Sequence, residues 1–348
     1  MKQSDVVKMI LAEKWQQYPL HSSATAYAPS NIALCKYWGK RNQELNLPLT
    51  SSLSISLREK GAHTQLLIND SQDCIQLNGQ VLDNAMPFSQ KLLRFVNLFR
   101  VRGQPYLTMN IHTNIPIAAG LASSACGFAA IAKALNQLFG WQLSARDLSI
   151  LARLGSGSAS RSLWQGFVEW HAGVREDGMD SFAEDLPTAW PELCVGLVMI
   201  NHQEKALSSR EAMQRTVMTS ALYSAWPQKV STDLSLLKRA IVEKDFLHLG
   251  KVTESNALTM HATMLSAWPP ITYCLPETLT AMQQVWRMRD EGIAVYFTQD
   301  AGPNIKLLFL ENDIASIRQN FPTIEIICNK QALNMPATTS SNIIPNPP

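Results

Sequence analysis

Between Ile115 and Ala132 the chain runs eighteen residues without a charged side chain. That length touches the lower limit for an apolar helix crossing a bilayer, about 17 residues. The residue types inside it argue against that use. Pro116, Gly120, Ser123, Ser124 and Gly127 crowd its first two-thirds, and such residues mark a turn rather than a continuous apolar helix. The pattern predicts a strand ending at Pro116, a turn of small residues, and a helix over Ser123 to Phe139. A helix that opens on two serines presents free backbone N–H groups and hydroxyls, which suits phosphate. The plainer alternative is a small-residue helix start packed tightly on a sheet. No lysine follows the glycine as in the GxxxxGK[ST] loop, so cationic help must come from elsewhere in the chain.

A chain of 348 residues is too long for one ordinary core, which makes two domains the expectation. Only 17% of the residues are charged, against roughly 25% in an average soluble domain, while nine Trp and thirteen Met supply bulky apolar surface for a large core or a homodimer interface. The 30 Lys plus Arg nearly balance the 28 Asp plus Glu, and no basic run tracks a phosphate backbone, so nucleic acid is not an expected partner. Nor is a membrane. The six cysteines show no CxxC or Cys/His ligand spacing, which favours buried thiols over disulfides and a cytoplasmic location. Asp5, Lys8, Glu13 and Lys14 stand where a signal peptide would need an apolar stretch.

A short helix is expected near the N-terminus, within an extension over residues 1–24. Strands follow at Ser52 to Leu57, His63 to Ile68 and Cys74 to Leu77, the last before the turn Asn78-Gly79. Pro87 suits the first turn of a helix, Leu107, Met109 and Ile111 share one face of a strand, and Ser144 with Asp147 are spaced to cap a helix reaching Leu154. Phe167 to Trp170 and Val195 to Ile200 read as strands, with a domain boundary between them near residue 190. Helices are expected at Ser209 to Ala225, Thr232 to Glu243, Asp245 to Leu265 and Leu279 to Arg289. Two strands, Ile293 to Thr298 and Lys306 to Leu310, flank the turn Asp300-Ala-Gly-Pro-Asn304. The expected class is α+β: domains at 1–190 and 191–330, mixed sheets with helices packed on them, and a tail at 331–348.

Two further stretches carry chemistry. Gly155-Ser-Gly-Ser-Ala-Ser-Arg161-Ser162 is a polar loop suited to capturing a carboxylate or phosphate with a bidentate arginine, or else a mere linker. In Ala28 to Lys40, polar Asn31, Lys36, Tyr37 and Lys40 interleave with Ile32, Leu34 and Trp38, which fits a ligand-binding strand or a plain edge strand.

Together these stretches resemble the GHMP kinase superfamily and, within it, the diphosphomevalonate decarboxylase family. The collinear pieces are Ala28-Pro-x-Asn-Ile-Ala-x-x-Lys-Tyr-Trp-Gly-Lys-Arg41, Leu47-Pro-Leu-Thr-Ser-Ser-Leu-Ser54, Leu77-Asn-Gly79, Ala118-Ala-Gly-Leu-Ala-Ser-Ser-Ala125, Gly155-Ser-Gly-Ser-Ala-x-Arg-Ser162, Gly166-Phe-Val-Glu-Trp170, Ser208-Ser-Arg-x-x-Met213, Met260-His-Ala-Thr-Met264, Trp268-Pro-Pro-Ile271 and Asp300-Ala-Gly-Pro-Asn304. The resemblance implies a two-domain GHMP kinase fold and ATP- and Mg²⁺-dependent decarboxylation of (R)-5-diphosphomevalonate to isopentenyl diphosphate. It implies Asp300 as the base at the C3 hydroxyl, Lys36 near it or near the reacting phosphoryl group, and Arg161 orienting the C1 carboxylate. Tyr37, Lys40, Ser156, Ser158, Ser209 and Arg210 match substrate ligands. Gly120, Leu121, Ala122, Ser123 and Ser124 match the ATP side, with Ser123 or Ser124 toward Mg²⁺.

Ser160 stands where the family commonly has Cys, Ser30 where it has Val, and Cys74 and Gln76 where it has Arg and Trp, so no adenine contact is carried across. His261 is expected to be a satisfied core histidine. The rival readings are a mevalonate 3-kinase or another small-molecule GHMP kinase, and a catalytically inactive GHMP-fold binding or regulatory protein.

Overall fold

A computed structural model describes residues 1–101, 103–115, 123–201 and 207–329. The first half holds β1 (Ser23–Cys35), β2 (Lys40–Asn42), β3 (Leu47–Pro48), β4 (Ser52–Asn69), β5 (Cys74–Leu77), β6 (Gln80–Leu82), β7 (Tyr106–Thr113), β8 (Phe167–Trp170) and β9 (Ala183–Leu186). Its helices are α1 (Gln3–Leu11), α2 (Pro87–Asn97), α3 (Ser123–Phe139) and α4 (Ala145–Gly155). The main sheet runs β6-β5-β7-β4-β8-β9, with β1 along β4 and the short pair β2-β3 separate.

The two runs expected at 52–57 and 63–68 form one strand. Arg58 takes a left-handed φ of 50° and Gly61 lies so close to β1 that a Cβ there would stand 2.2 Å from the Ala28 carbonyl. The register shifts between Pro29 and Asn31 at the same level. Both strands bulge together, and pairing continues through what the sequence reads as a break. β4 then serves as the spine, its first part pairing with β8 and its second with β7. α3 lies against β1 and β4, and Ser144 caps α4 by accepting from the Asp147 N–H.

The second half holds β10 (Leu193–Val198), β11 (Val295–Gln299), β12 (Ile305–Leu310) and β13 (Glu325–Cys328), in the order β11-β12-β10-β13. Its helices are α5 (Ser209–Thr219), α6 (Trp226–Glu243), α7 (Phe246–Leu265), α8 (Pro276–Asp290) and α9 (Ile314–Asn320). The helix expected through Ala225 stops at Thr219, because Tyr223 leaves the helical path to bury its ring and donate its hydroxyl to the Trp38 carbonyl, 2.8 Å away. Ile305, Leu307 and Phe309 of β12 pack with Met282, Val285 and Ile317, while Leu308 joins a cluster that also contains Ile32, Leu53 and Phe167 of the first sheet. The two sheets therefore share a core.

One expectation is corrected. Cys194 and Cys328 face each other across β10 and β13 and form a disulfide, whereas Cys35, Cys74, Cys126 and Cys274 remain thiols. The short strand β13 was not read from the sequence, so nothing there brought Cys328 beside Cys194. The tail at 331–348 lies outside the described residues.

Candidate active site

A cleft of about 400 Å³ opens between the halves. Its walls are the end of β1 and the loop after it, the loop after α4, the start of α5 and the turn after β11. Lys36, Tyr37, Lys40, Ser156, Ser158, Arg161, Ser209, Arg210 and Asp300, expected from four separate stretches of chain, all line it, as does Ser124.

Asp300 sits where β11 turns toward β12. Its Oδ1 accepts a hydrogen bond from Lys36 Nζ at 2.7 Å, and Lys306 Nζ stands 3.2 Å from Oδ2. Burial acts to raise the Asp300 pKa, yet Lys36 and Lys306 outweigh it and hold the carboxyl well below the usual carboxylate range. Burial acts on Lys36 in the opposite sense, lowering its pKa, with Asp300 opposing. Lys36 itself is fixed at both ends: its backbone N–H donates to Asn256 Oδ1 at 2.8 Å and its ammonium also donates to the Ala33 carbonyl. Asn256 on α7 is held in turn by Asp233 of α6.

Arg161 ends a 3₁₀ turn that begins at Gly157. Its Nε donates to Asn31 Oδ1 at 3.2 Å and Nη1 to Ser52 Oγ at 2.5 Å, so the guanidinium is anchored on β1 and β4. Burial lowers its pKa to about 10, which leaves it cationic at neutral pH. Tyr37 packs edge-on against Trp170 at 4.8 Å, and among the described residues its buried hydroxyl has no hydrogen-bond partner. Gly157 makes that packing possible, because a Cβ there would stand 2.8 Å from the Tyr37 ring.

A second charge cluster lies farther along the cleft. Lys40 donates to Asn46 Oδ1 at 2.7 Å, and burial together with Arg210 and Lys91 pushes its pKa down to about 7. Burial, Arg210 and Arg94 likewise push Lys91 down to about 8. Cations crowded together in this way favour a multiply charged anion. The hydroxyls of Ser124, Ser156 and Ser158 follow one another at 3.5 and 3.3 Å. Gly120, Leu121 and Ala122 lie outside the described residues, as does the side chain of Ser123.

The family model described as the diphosphomevalonate decarboxylase-like N-terminal domain matches residues 28–183, and that of the mevalonate 5-diphosphate decarboxylase C-terminal domain matches residues 195–342. A diphosphomevalonate decarboxylase from Aspergillus fumigatus is 38% identical over 326 residues, covering 83% of this chain and 77% of that relative. The chain belongs to the diphosphomevalonate decarboxylase family. Among solved structures, MDDEF in complex with MVAPP, AMPPCP and magnesium matches with a TM-score of 0.81 and 41% identity, covering 87% of this chain and 95% of that one. Mevalonate diphosphate decarboxylase from Staphylococcus aureus matches with a TM-score of 0.83 and 39% identity, over 88% and 95% of the two chains.

This member of the decarboxylase family has two site cations that the motifs did not reveal. Lys91 lies beside an apolar stripe on α2 and reads in sequence as part of a solvated face. Lys306 is the charged residue in Ile305-Lys-Leu-Leu-Phe-Leu310, and a lysine inside so apolar a strand was the available signal. His261 differs from expectation. Burial, then Lys36, push its pKa down to about 4, and Nε2 has no hydrogen-bond partner among the described residues.

Proposed function

We propose that this chain converts (R)-5-diphosphomevalonate and ATP into isopentenyl diphosphate, ADP, phosphate and CO₂, with Asp300, Lys36 and Arg161 as its catalytic groups. The observation that carries the proposal is the pairing, within one cleft, of a carboxylate clamped by buried ammonium groups with a separate cluster of cations, Lys40, Lys91 and Arg210. The cluster suits a diphosphate remote from the chemistry, and Tyr37, Lys40, Ser156, Ser158, Ser209 and Arg210 are its proposed ligands, with Lys91 added. The carboxylate suits a hydroxyl that must lose its proton.

In the first half-reaction Asp300 accepts the proton of the C3 hydroxyl, the oxygen forms a bond to the γ-phosphorus, and ADP leaves with the electrons of the broken P–O bond. Lys36 offsets charge beside the reacting groups. In the second, the bond from C2 to the carboxylate carbon breaks, its electron pair becomes the C2–C3 double bond, and phosphate departs from C3. Arg161 holds the carboxylate in the orientation this elimination needs.

Residues 120–124 are the proposed ATP contacts. No three His, Cys, Asp or Glu side chains converge among the described residues. A divalent cation therefore fits here as an ion carried on ATP phosphates, with Ser123 or Ser124 as the proposed hydroxyl ligand. When bound, Mg²⁺ neutralises phosphate charge.

The proposal extends to a division near residue 190, where the chain passes from β9 to β10, and to a cytoplasmic homodimer. No helix among the described residues is long and apolar enough to cross a membrane. Met218, Leu222, Leu265 and Trp268 are large exposed apolar side chains around the junction where Thr219 and Ser220 bond to Trp268 and Ser266, and they support self-association. Sedimentation that returns only a monomer at working concentration would remove the dimer.

Incubation with Mg-ATP and diphosphomevalonate should release ADP and CO₂ one for one. ADP without CO₂ would favour the 3-kinase reading, and neither product would favour the binding protein.

A further inference from the structure

We propose that Lys306 is a positioning residue for this reaction: from inside the second sheet it fixes the Asp300 carboxylate so that Oδ2 is presented to the hydroxyl that takes the phosphoryl group. The inference rests on the reading of Asp300 given above.

The two carboxylate oxygens are held differently. Oδ1 accepts a hydrogen bond from Lys36. Oδ2 is buried and stands 3.2 Å from Lys306 Nζ, yet among the described residues it accepts no hydrogen bond. The ammonium is within ion-pair reach of Oδ2, so the charge is neutralised while a second lone pair of the oxygen keeps its capacity to accept from a ligand. With Lys36 alone, one oxygen would be tethered and the carboxylate could turn about its terminal torsion, which has a broad minimum.

Lys306 also donates to the Asn304 carbonyl at 3.3 Å, so its ammonium ties the turn after β11 to Asp300. The lysine is wholly buried in β12, opposite Leu197 of β10 and Thr298 of β11, and alternation puts it on the same face as Leu308, against the shared core. A charge there is disfavoured unless a partner compensates it, and Asp300 is an acidic group within ion-pair reach of it. The charged or titratable groups facing Asp300 are Lys36 from the end of β1, Lys306 from β12 and His261 from α7, with Arg161 acting at longer range from the loop after α4. Among the described residues, only the two lysines are within ion-pair distance.

Lys306→Met should lower kcat by about ten- to a hundredfold, with KM for ATP and for the diphosphorylated substrate within about threefold of wild type. The deciding comparison is made in an Asp300→Asn background. If Lys306 acts through Asp300, adding Lys306→Met there should change kcat less than about threefold. Wild-type kcat in Lys306→Met, or a full further loss on top of Asp300→Asn, would overturn the proposal. Asp300→Asn with wild-type turnover would instead sink the reading of Asp300 itself, and the two failures are thereby distinct. Should Lys306→Met fail to fold by circular dichroism, a structure of the wild-type protein with an unreactive ATP analogue and substrate decides. Lys306 Nζ should stay within about 4 Å of Asp300 Oδ2, and a wider separation would refute the assignment.

Discussion

At the scale of single residues, the chemistry turns on how burial sets charge. With a pKa of about 7, Lys40 loses its proton in the free protein as the pH rises through neutrality, whereas a bound diphosphate would pull that pKa back up. The profile of kcat/KM for the diphosphorylated substrate should therefore fall above about pH 7 while kcat stays level. Lys40→Arg, which keeps its charge, should move the fall toward the Lys91 range near 8. A fall in kcat at the same pH would place Lys40 at the reacting centre. Arg161 presents the opposite problem, because too strong a grip on the carboxylate would favour the ground state over the transition state. Its anchoring to Asn31 and Ser52 fits the orienting role proposed for it, and a lysine cannot reproduce the planar fork. Arg161→Lys should bind substrate nearly normally by calorimetry, yet release CO₂ about ten- to a thousandfold more slowly, with ADP in excess over CO₂. Wild-type turnover would leave it a charge contact only.

At the scale of elements, the loop carrying Lys36, Tyr37 and Lys40 is held by one glycine. Gly39 has a φ of +121° and a Cβ there would lie 1.8 Å from the Tyr223 hydroxyl, the same hydroxyl that donates to the Trp38 carbonyl. Gly39→Ala should cost about 1–3 kcal/mol from backbone strain alone, lower the thermal midpoint, and raise KM for the diphosphorylated substrate more than it lowers kcat. An unchanged midpoint would mean that the loop relaxes freely. Elements with uninterrupted patterns were legible in the sequence: β8 and α3 occupy the expected residues, because nothing competes with their periodicity. β4 was not, since Arg58-Glu-Lys-Gly61 looks like a turn until β1 is seen bulging beside it. The places of Lys36, Arg161 and Asp300 in the cleft were legible through collinear motifs, whereas that of Lys91 depends on which face of α2 meets the cleft and that of Lys306 on which face of β12 lies beside Asp300, facts that only tertiary packing supplies.

At the scale of the whole molecule, the cleft is lined from both halves, which share one hydrophobic cluster while each keeps another of its own. Lys36 and Asp300 meet across 264 positions of sequence. At a synthesis rate of roughly 5–20 residues per second, on the order of 10–50 seconds separate the making of this ammonium from the making of its carboxylate. The nascent chain must carry Lys36, and much of the cleft's first wall, through that interval without the partner that makes burial tolerable. The Lys36–Asp300 pair is therefore among the last features of the cleft to be completed, and with Asp300 as the proposed base a ribosome stalled before residue 300 should hold a chain that no concentration of ATP makes active.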